Sequence, residues 1–189
     1  MNLTRTFDAE SETLSLTDVK TQLRITDSAD DEALVAFIAA IRHRTENYLR
    51  KTLVTSTWEL KLDCIEGEIY LPMNPIQSIT SVQYLDTDGN TQTLASSGYQ
   101  FDASGRLAPS YGNDWPSTRD QFNAVTITYV AGQTHAGNVP EDIKHAMLML
   151  VGTADIARED VVIGAGVVVS SLGNRAAESL LAPHRNWKL

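Results

Sequence analysis

The spacing of apolar residues along the chain changes twice. At the template positions 34, 37, 38, 41, 45, 48 and 49 stand Leu34, Phe37, Ile38, Ile41, Thr45, Tyr48 and Leu49. Six of the seven are apolar, which predicts an amphipathic helix over Ala33–Leu49. From Ser56 the period becomes two. Trp58, Leu60 and Leu62 alternate with Glu59, Lys61 and Asp63, as in a half-buried strand. Ile69-Tyr70-Leu71 reads as a short strand stopped by Pro72, and Asn74-Pro75 as a turn. Val82–Leu85 and Thr91–Leu94 flank Asp86–Asn90, a hairpin signal. Tyr99 and Phe101 suggest a further strand. Ala103–Phe122 carries Gly105, Pro109, Gly112 and Pro116 and reads as a long loop. Val125, Ile127 and Tyr129 alternate with polar neighbours in a last strand that ends at Gly132. After a linker at Gln133–Asn138, the helical period returns over Ile143–Ala157, opened by Pro140, Glu141 and Asp142. Ile143, Ala146, Met147, Leu150 and Ala154 form its stripe. Leu148, Met149 and Val151 are apolar as well, which marks a central helix with some surface left for a subunit contact.

Residues 1–14 are polar and lack a clear period, so they are expected to form an extended N-terminal arm. Ser15-Leu16-Thr17-Asp18 has the form of a capping box and predicts a short helix over about Thr17–Leu23 that buries Val19 and Leu23. Ser28-Ala29-Asp30-Asp31 is a second start signal. In the long helix that follows, Asp30, Asp31 and Glu32 stand at the beginning, and Arg42, Arg44, Arg50 and Lys51 toward the end, an order that complements the helix dipole. Beyond residue 158, Val161–Ile163 and Val167–Val169 are split by Gly164-Ala165-Gly166, an elbow in a segment with too little apolar mass to fold alone. The resulting expectation is an α+β fold: a small helical bundle with an inserted antiparallel β region and an extended C-terminal arm. Its parts are the arm 1–14, a domain over 15–158 (helical at 15–55 and 139–158, β-rich at 56–133) and a C-terminal tail at 159–189. The helices, and not the strands, are expected to hold the core, with Leu34, Phe37, Ile38, Ile41, Met147 and Leu150 buried together.

Composition narrows the possible chemistry. The chain has 189 residues, 42% hydrophobic and 21% charged. That length suits one domain with an appendage and needs no metal or disulfide staple. The net charge of −9 counts against a grip on nucleic-acid backbone, although a negative wall would let DNA slide past. The start of the chain has no apolar run of signal-peptide type, and no segment approaches the roughly 20 apolar residues of a membrane span. The lone Cys64 fits a reducing compartment and is read as a structural thiol. His43, His135, His145 and His184 have no ligand-like spacing, so no metal is expected. Gly164-Ala165-Gly166 lacks the third glycine of a dinucleotide loop, Val169 standing there. Asp86 and Asp88 fit a hairpin turn better than a calcium loop. No nucleophile elbow or catalytic constellation occurs, and no cofactor is implied.

Two groups of residues remain as contact candidates. Arg42, Arg44, Arg50 and Lys51 could meet phosphate or an acidic neighbour, or simply form a solvated helix face. Leu180, Leu181, Pro183, Arg185 and Trp187 form an apolar ending of docking type, unless the tail folds back on its own domain. If it is a docking arm, removing residues 176–189 should leave the rest folded.

The ordered series of segments resembles a known family. It runs Leu16-Thr17-Asp18-Val19-Lys20-Thr21-Gln22-Leu23-Arg24, then Asp30-Asp31-Glu32-Ala33-Leu34, Tyr48-Leu49 and Thr55-Ser56-Thr57-Trp58. Leu71-Pro72-Met73-Asn74-Pro75-Ile76-Gln77-Ser78-Ile79 follows, then Val139-Pro140-Glu141-Asp142-Ile143-Lys144-His145-Ala146 and Leu180-Leu181-Ala182-Pro183-His184-Arg185. Together these resemble the head-tail connector, or adaptor, proteins of long-tailed bacteriophages and gene transfer agents, often labelled possible DNA-packaging proteins. A departure is the end of the long helix, where a glycine cap is expected and Arg50-Lys51 stand. The resemblance implies a non-catalytic virion protein of the particle neck, assembled in the bacterial cytoplasm. Its partners would be the portal protein, identical subunits in a dodecameric ring, and the next neck or tail component. DNA would pass through the channel without specific binding, and no membrane is involved. The competing readings are another neck ring protein (stopper or tail terminator), an assembly-associated hydrolase, and a DNA-binding module.

Overall fold

The period-two segments pair into antiparallel sheets, and the helical segments pack around a core of their own. The structure is a computed structural model, and it describes residues 1–156 and 169–187. The expected elbow at Gly164 and Gly166 and the β-branched runs around it lie outside the described residues, apart from Val169. The chain forms two compact units.

The first unit is built from Met1–Glu10 and Val54–Thr134. Its main sheet contains β1 (Asn2–Phe7), β2 (Ser56–Leu62), β4 (Ile76–Leu85), β5 (Thr91–Thr93) and β8 (Val125–Ala131), in the order β1-β2-β8-β4-β5. In the register, Leu60 lies opposite Ile127 and Trp58 opposite Tyr129, so the alternation seen in the sequence sends these four to one face. They join Ile76, Val82, Val125 and Ala131 in a buried cluster. A second sheet, in the order β3-β7-β6, is made of β3 (Ile69–Tyr70), β6 (Tyr99–Phe101) and β7 (Arg106–Pro109). It adds Leu107 and Tyr99 to the same cluster. The Tyr129 hydroxyl donates to the Pro72 carbonyl at 2.8 Å, which satisfies the one polar atom of a ring buried in this core. At the end of β8, Gly132 has φ +115° and packs so closely on the Val54 carbonyl that a Cβ would collide with it. Only glycine fits both conditions.

Three expectations change in this unit. The N-terminal arm is an edge strand over Asn2–Phe7, with Leu3 opposite Leu60 and Arg5 opposite Trp58. Its alternation is hidden because Arg5, not an apolar residue, covers the Trp58 ring, its guanidinium 4.6 Å from the ring centroid. The supposed loop at Ala103–Phe122 contains β7. Cys64 is exposed instead of packed.

The second unit is built from Ser11–Leu53 and His135–Lys188. It holds α1 (Leu16–Leu23), α2 (Asp31–Leu49), α3 (Glu141–Ile156) and α4 (Val169–Leu181). The capping box at α1 is formed as the sequence implies: the Ser15 hydroxyl accepts from the Asp18 amide, and the Asp18 carboxylate accepts from the Ser15 amide. Asp30 is the N-cap of α2 but makes no side-chain cap bond. Leu34, Ile38, Ile41 and Leu49 meet Ile143, Ala146, Met147, Leu150 and Val151 in the core, with Phe37 partly buried at its margin. The expectation of a purely helical core is therefore corrected. The strands bury a cluster of comparable size, to which β2 supplies Trp58 and Leu60 and β8 supplies Val125, Ile127, Tyr129 and Ala131.

Candidate assembly surface

The basic positions separate by burial. Arg42 is 1% exposed. Its Nε donates to Glu12 Oε2 at 2.8 Å, Nη2 to Glu12 Oε1 at 3.2 Å, and Nη1 to Glu46 Oε2 at 3.3 Å. Glu46, itself fully buried, also accepts the Leu53 amide at 2.8 Å. This network ties the segment before α1 to α2 and to the turn after it. Arg42 therefore belongs to the interior of the unit, which corrects its reading as a surface contact. The reason is its position: it adjoins Ile38, Ile41 and Thr45 on the buried side of α2, one turn before Glu46.

Arg44 and Arg50 are exposed and Lys51 is half-buried. Burial pushes the Lys51 ammonium down from its ordinary pKa. Arg50 itself takes the left-handed conformation, φ 53°, at the C-cap of α2, and its amide donates to the Glu46 carbonyl. An arginine thus occupies the place where the sequence lacks the expected glycine.

The chain ending comes back to this point. Ala177 and Leu181 are buried in the helical core, and Leu180 packs against its edge. These residues face inward because α4 is amphipathic and its unit has a place for that face. After α4 comes a 3₁₀ turn at Ala182–His184, and the Asn186 amide then donates to the Leu49 carbonyl at 2.8 Å. That carbonyl is one of the last four of α2, which have no partner within the helix. The Arg185 guanidinium lies 5.2 Å from the Tyr48 ring centroid and 4.6 Å from that of Trp187. Trp187 remains 71% exposed and Pro183 is exposed. His184 Nε2 lies 3.4 Å from Asp142 Oδ2. A recess lined by Arg44, Thr45, Tyr48, Leu150, Glu178 and Leu181 adjoins the same end of α2.

Two groups of residues that sequence reasoning treated separately therefore form one surface. Arg44, Arg50 and Lys51 come from α2 and its end; Arg185 and Trp187 come from the tail. Tyr48 joins them. The helical stripe had assigned Tyr48 to the core, and nothing local marks it as the partner of an arginine 137 positions away (185 minus 48). Leu180 and Leu181 stabilise the unit here, and the apolar group presented to solvent is Trp187.

Two acids elsewhere, Asp86 and Asp102, have local partners. Asp86 Oδ1 accepts from the Asp88 and Asn90 amides, and Oδ2 accepts from Gln92 Nε2, so this residue organises the β4–β5 hairpin. The Gln92 bond, with help from the Asn90 amide, lowers its pKa. Asp102 is held well below the usual carboxylate range by the Ser104 hydroxyl and then by Arg106. Among the described residues, no group of three or more His, Cys, Asp or Glu is placed to hold a metal ion. Among the same residues no helix is long and apolar enough to cross a membrane.

Comparison with known proteins adds the identity of the fold. Residues 12–186 match the family model of the head completion protein. In solved structures, a chain in the virion of a native gene transfer agent particle superposes with a TM-score of 0.79 at 20% identity. A chain in the neck of an empty gene transfer agent particle, computed with C6 symmetry, gives 0.78 at 20% identity. One in the neck of a native particle, computed with C12 symmetry, gives 0.72 at 22% identity. In all three the alignment covers 100% of this chain and 97% of the other. No protein with curated annotation matches significantly. The resemblance to head-tail connectors read from the ordered segments is thus borne out, and the chain belongs to the head completion protein family.

Proposed function

We propose that this protein is a structural subunit of the particle neck, joining head to tail in a virion or virus-like particle. The observation that carries this reading is the family match over residues 12–186. The subunits form a ring beneath the portal, extend the channel through which DNA passes and offer a platform for the next neck or tail component. Twelve copies fit the C12 symmetry applied to one of the similar necks. The protein's part is non-enzymatic: it supplies complementary surfaces, not a reaction. A net charge of −9 suits a channel wall that does not retain DNA.

Contact with the portal or with a neighbouring subunit falls to Pro183, Arg185 and Trp187 at the tail, with Arg44, Arg50 and Lys51 beside them. Leu180 and Leu181 hold the tail's base in the helical unit. The test is direct imaging. Particles from cells that produce this protein should show a ring of this fold between head and tail, and particles from cells lacking it should be filled heads without tails. Complete tailed particles in its absence would refute the connector role.

A further inference from the structure

The two ends of α2 carry opposite charge. At and before its start, Asp27, Asp30 and Glu32 are exposed, while Asp31 is held by Lys20 at 2.6 Å. Arg24, the exposed C-cap of α1, lines the same recess as Lys20 and Asp31. At the far end stand Arg44, Arg50 and Lys51 with the stacked Arg185 and Trp187, and Glu178 is the acid that shares the recess with Arg44. The helix has 19 residues, so at 1.5 Å per residue the two ends lie about 28 Å apart.

The helix dipole accounts for acids in the first turn of α2 and for a cation at its C-cap, Arg50, although the last turn itself holds no basic residue. Asp27, which precedes the helix, accepts the Ala29 amide at 3.1 Å in the turn before α2, but neither that turn nor the dipole accounts for a tryptophan left 71% exposed on the basic end. Interface cores favour tryptophan and arginine, whereas a surface selected only for solubility does not. A closed ring also sets a geometric condition. Each copy must present two different patches, one complementary to the other, at separate places on the same body. The two ends of α2 meet that condition on one rigid element. In a chain of net charge −9, copies repel one another unless such a contact offsets the repulsion.

Building on the ring reading above, we propose that the basic, aromatic end of α2 in one copy docks on the acidic end of α2 in the next. Trp187 is the apolar anchor, and Arg44 and Arg50 set the register against Asp27, Asp30 and Glu32 of the neighbouring copy.

Charge exchange tests this. One variant carries Asp30→Arg with Glu32→Arg, and a second carries Arg44→Glu with Arg50→Glu. All four positions are exposed, and circular dichroism should show both variants folded. Each is added to heads made without this protein, and neck rings are counted by electron microscopy. Wild-type protein should form rings, and each variant alone should fall by about tenfold or more, because like charges then meet at every interface. An equimolar mixture should recover rings, since an alternating ring of the two variants restores opposite charge at each contact. Rings from either variant alone at wild-type level would overturn the pairing of the two ends, and so would a mixture as defective as its components. Salt-sensitive binding of duplex DNA by the wild type, lost on Arg44→Glu with Arg50→Glu, would assign the basic end to phosphate instead. Absence of rings with wild-type protein would overturn the ring reading itself, and this inference with it.

Discussion

At the scale of single residues, burial decides what a charged or polar group does. Arg42 and Glu46 are almost fully enclosed, and Arg42 bridges Glu46 to Glu12 while Glu46 also accepts the Leu53 amide. Arg42→Ala should cost about 3–5 kcal/mol, because Glu46 would remain as a buried charge without its counter-ion; chemical denaturation monitored by helical signal measures this. The i,i+4 spacing of Arg42 and Glu46 stands in the sequence, but Arg42 reads there as a surface contact, because spacing alone does not show burial. The third member of the network, Glu12, lies 30 positions away in a segment without a period, and no local pattern points to it. Tyr129 gives a prediction with a pH sign. Burial raises its phenol above the ordinary value near 10. Its contribution is therefore fully present below the unfolded pKa and is lost as pH rises beyond it toward the folded value. The sheet unit should weaken above about pH 10. Tyr129→Phe should flatten that alkaline decline, while costing about 1 kcal/mol near neutrality for the bond to Pro72.

At the scale of elements, the periods predicted type and order well wherever one face of an element is apolar. β2, β8, α2 and α3 follow from their spacing, and the β4–β5 hairpin from the turn residues between its strands. The expected extended C-terminal arm is instead helical at α4, Val169–Leu181, whose apolar face packs on the helical core; the strands that escaped are those whose buried face contains few apolar groups. β1 contributes Leu3 and a stacked Arg5, and β7 contributes Leu107 in four residues. Such strands are stabilised by partners already in the sheet, so their own sequences need carry little signal. The division into two apolar clusters yields a test. Leu34→Ala in the helical cluster and Leu60→Ala in the sheet cluster should each cost about 2–5 kcal/mol. Hydrogen exchange should then show the loss of protection concentrated in the unit that carries the change. Equal loss across both units from either substitution would show that they unfold as one.

At the scale of the whole molecule, the ending has two parts with different work. Residues through Leu181 complete the helical unit, and those from Ala182 to Trp187 form its outer surface. Removing 176–189 should lower the thermal midpoint, since Ala177 and Leu181 leave the core. That replaces the expectation that such a deletion would spare the fold. Removing 185–189 should leave helical content intact and abolish attachment to heads, as measured by co-sedimentation. Normal attachment after that shorter cut would remove the tail from the assembly surface. The overall charge makes a further prediction. Gel-shift assays at low salt should show no discrete complex with duplex DNA at protein concentrations up to about 1 μM.

What the sequence determined by itself were α1 with its capping box, α2, α3, β2, β8 and their order, because periodicity and capping depend on neighbours within a few positions. The ordered segments also pointed to the connector family. The tertiary structure alone decided which cations are interior and which are exposed, that Arg5 serves as a cover for Trp58, and that Arg185 stacks between Tyr48 and Trp187. These outcomes depend on groups far apart along the chain, and the energy of placing a charge depends on its surroundings in space. The same guanidinium is a buried ion-pair partner at position 42 and lies at the surface at position 44, and only the packing of α2 tells the two apart.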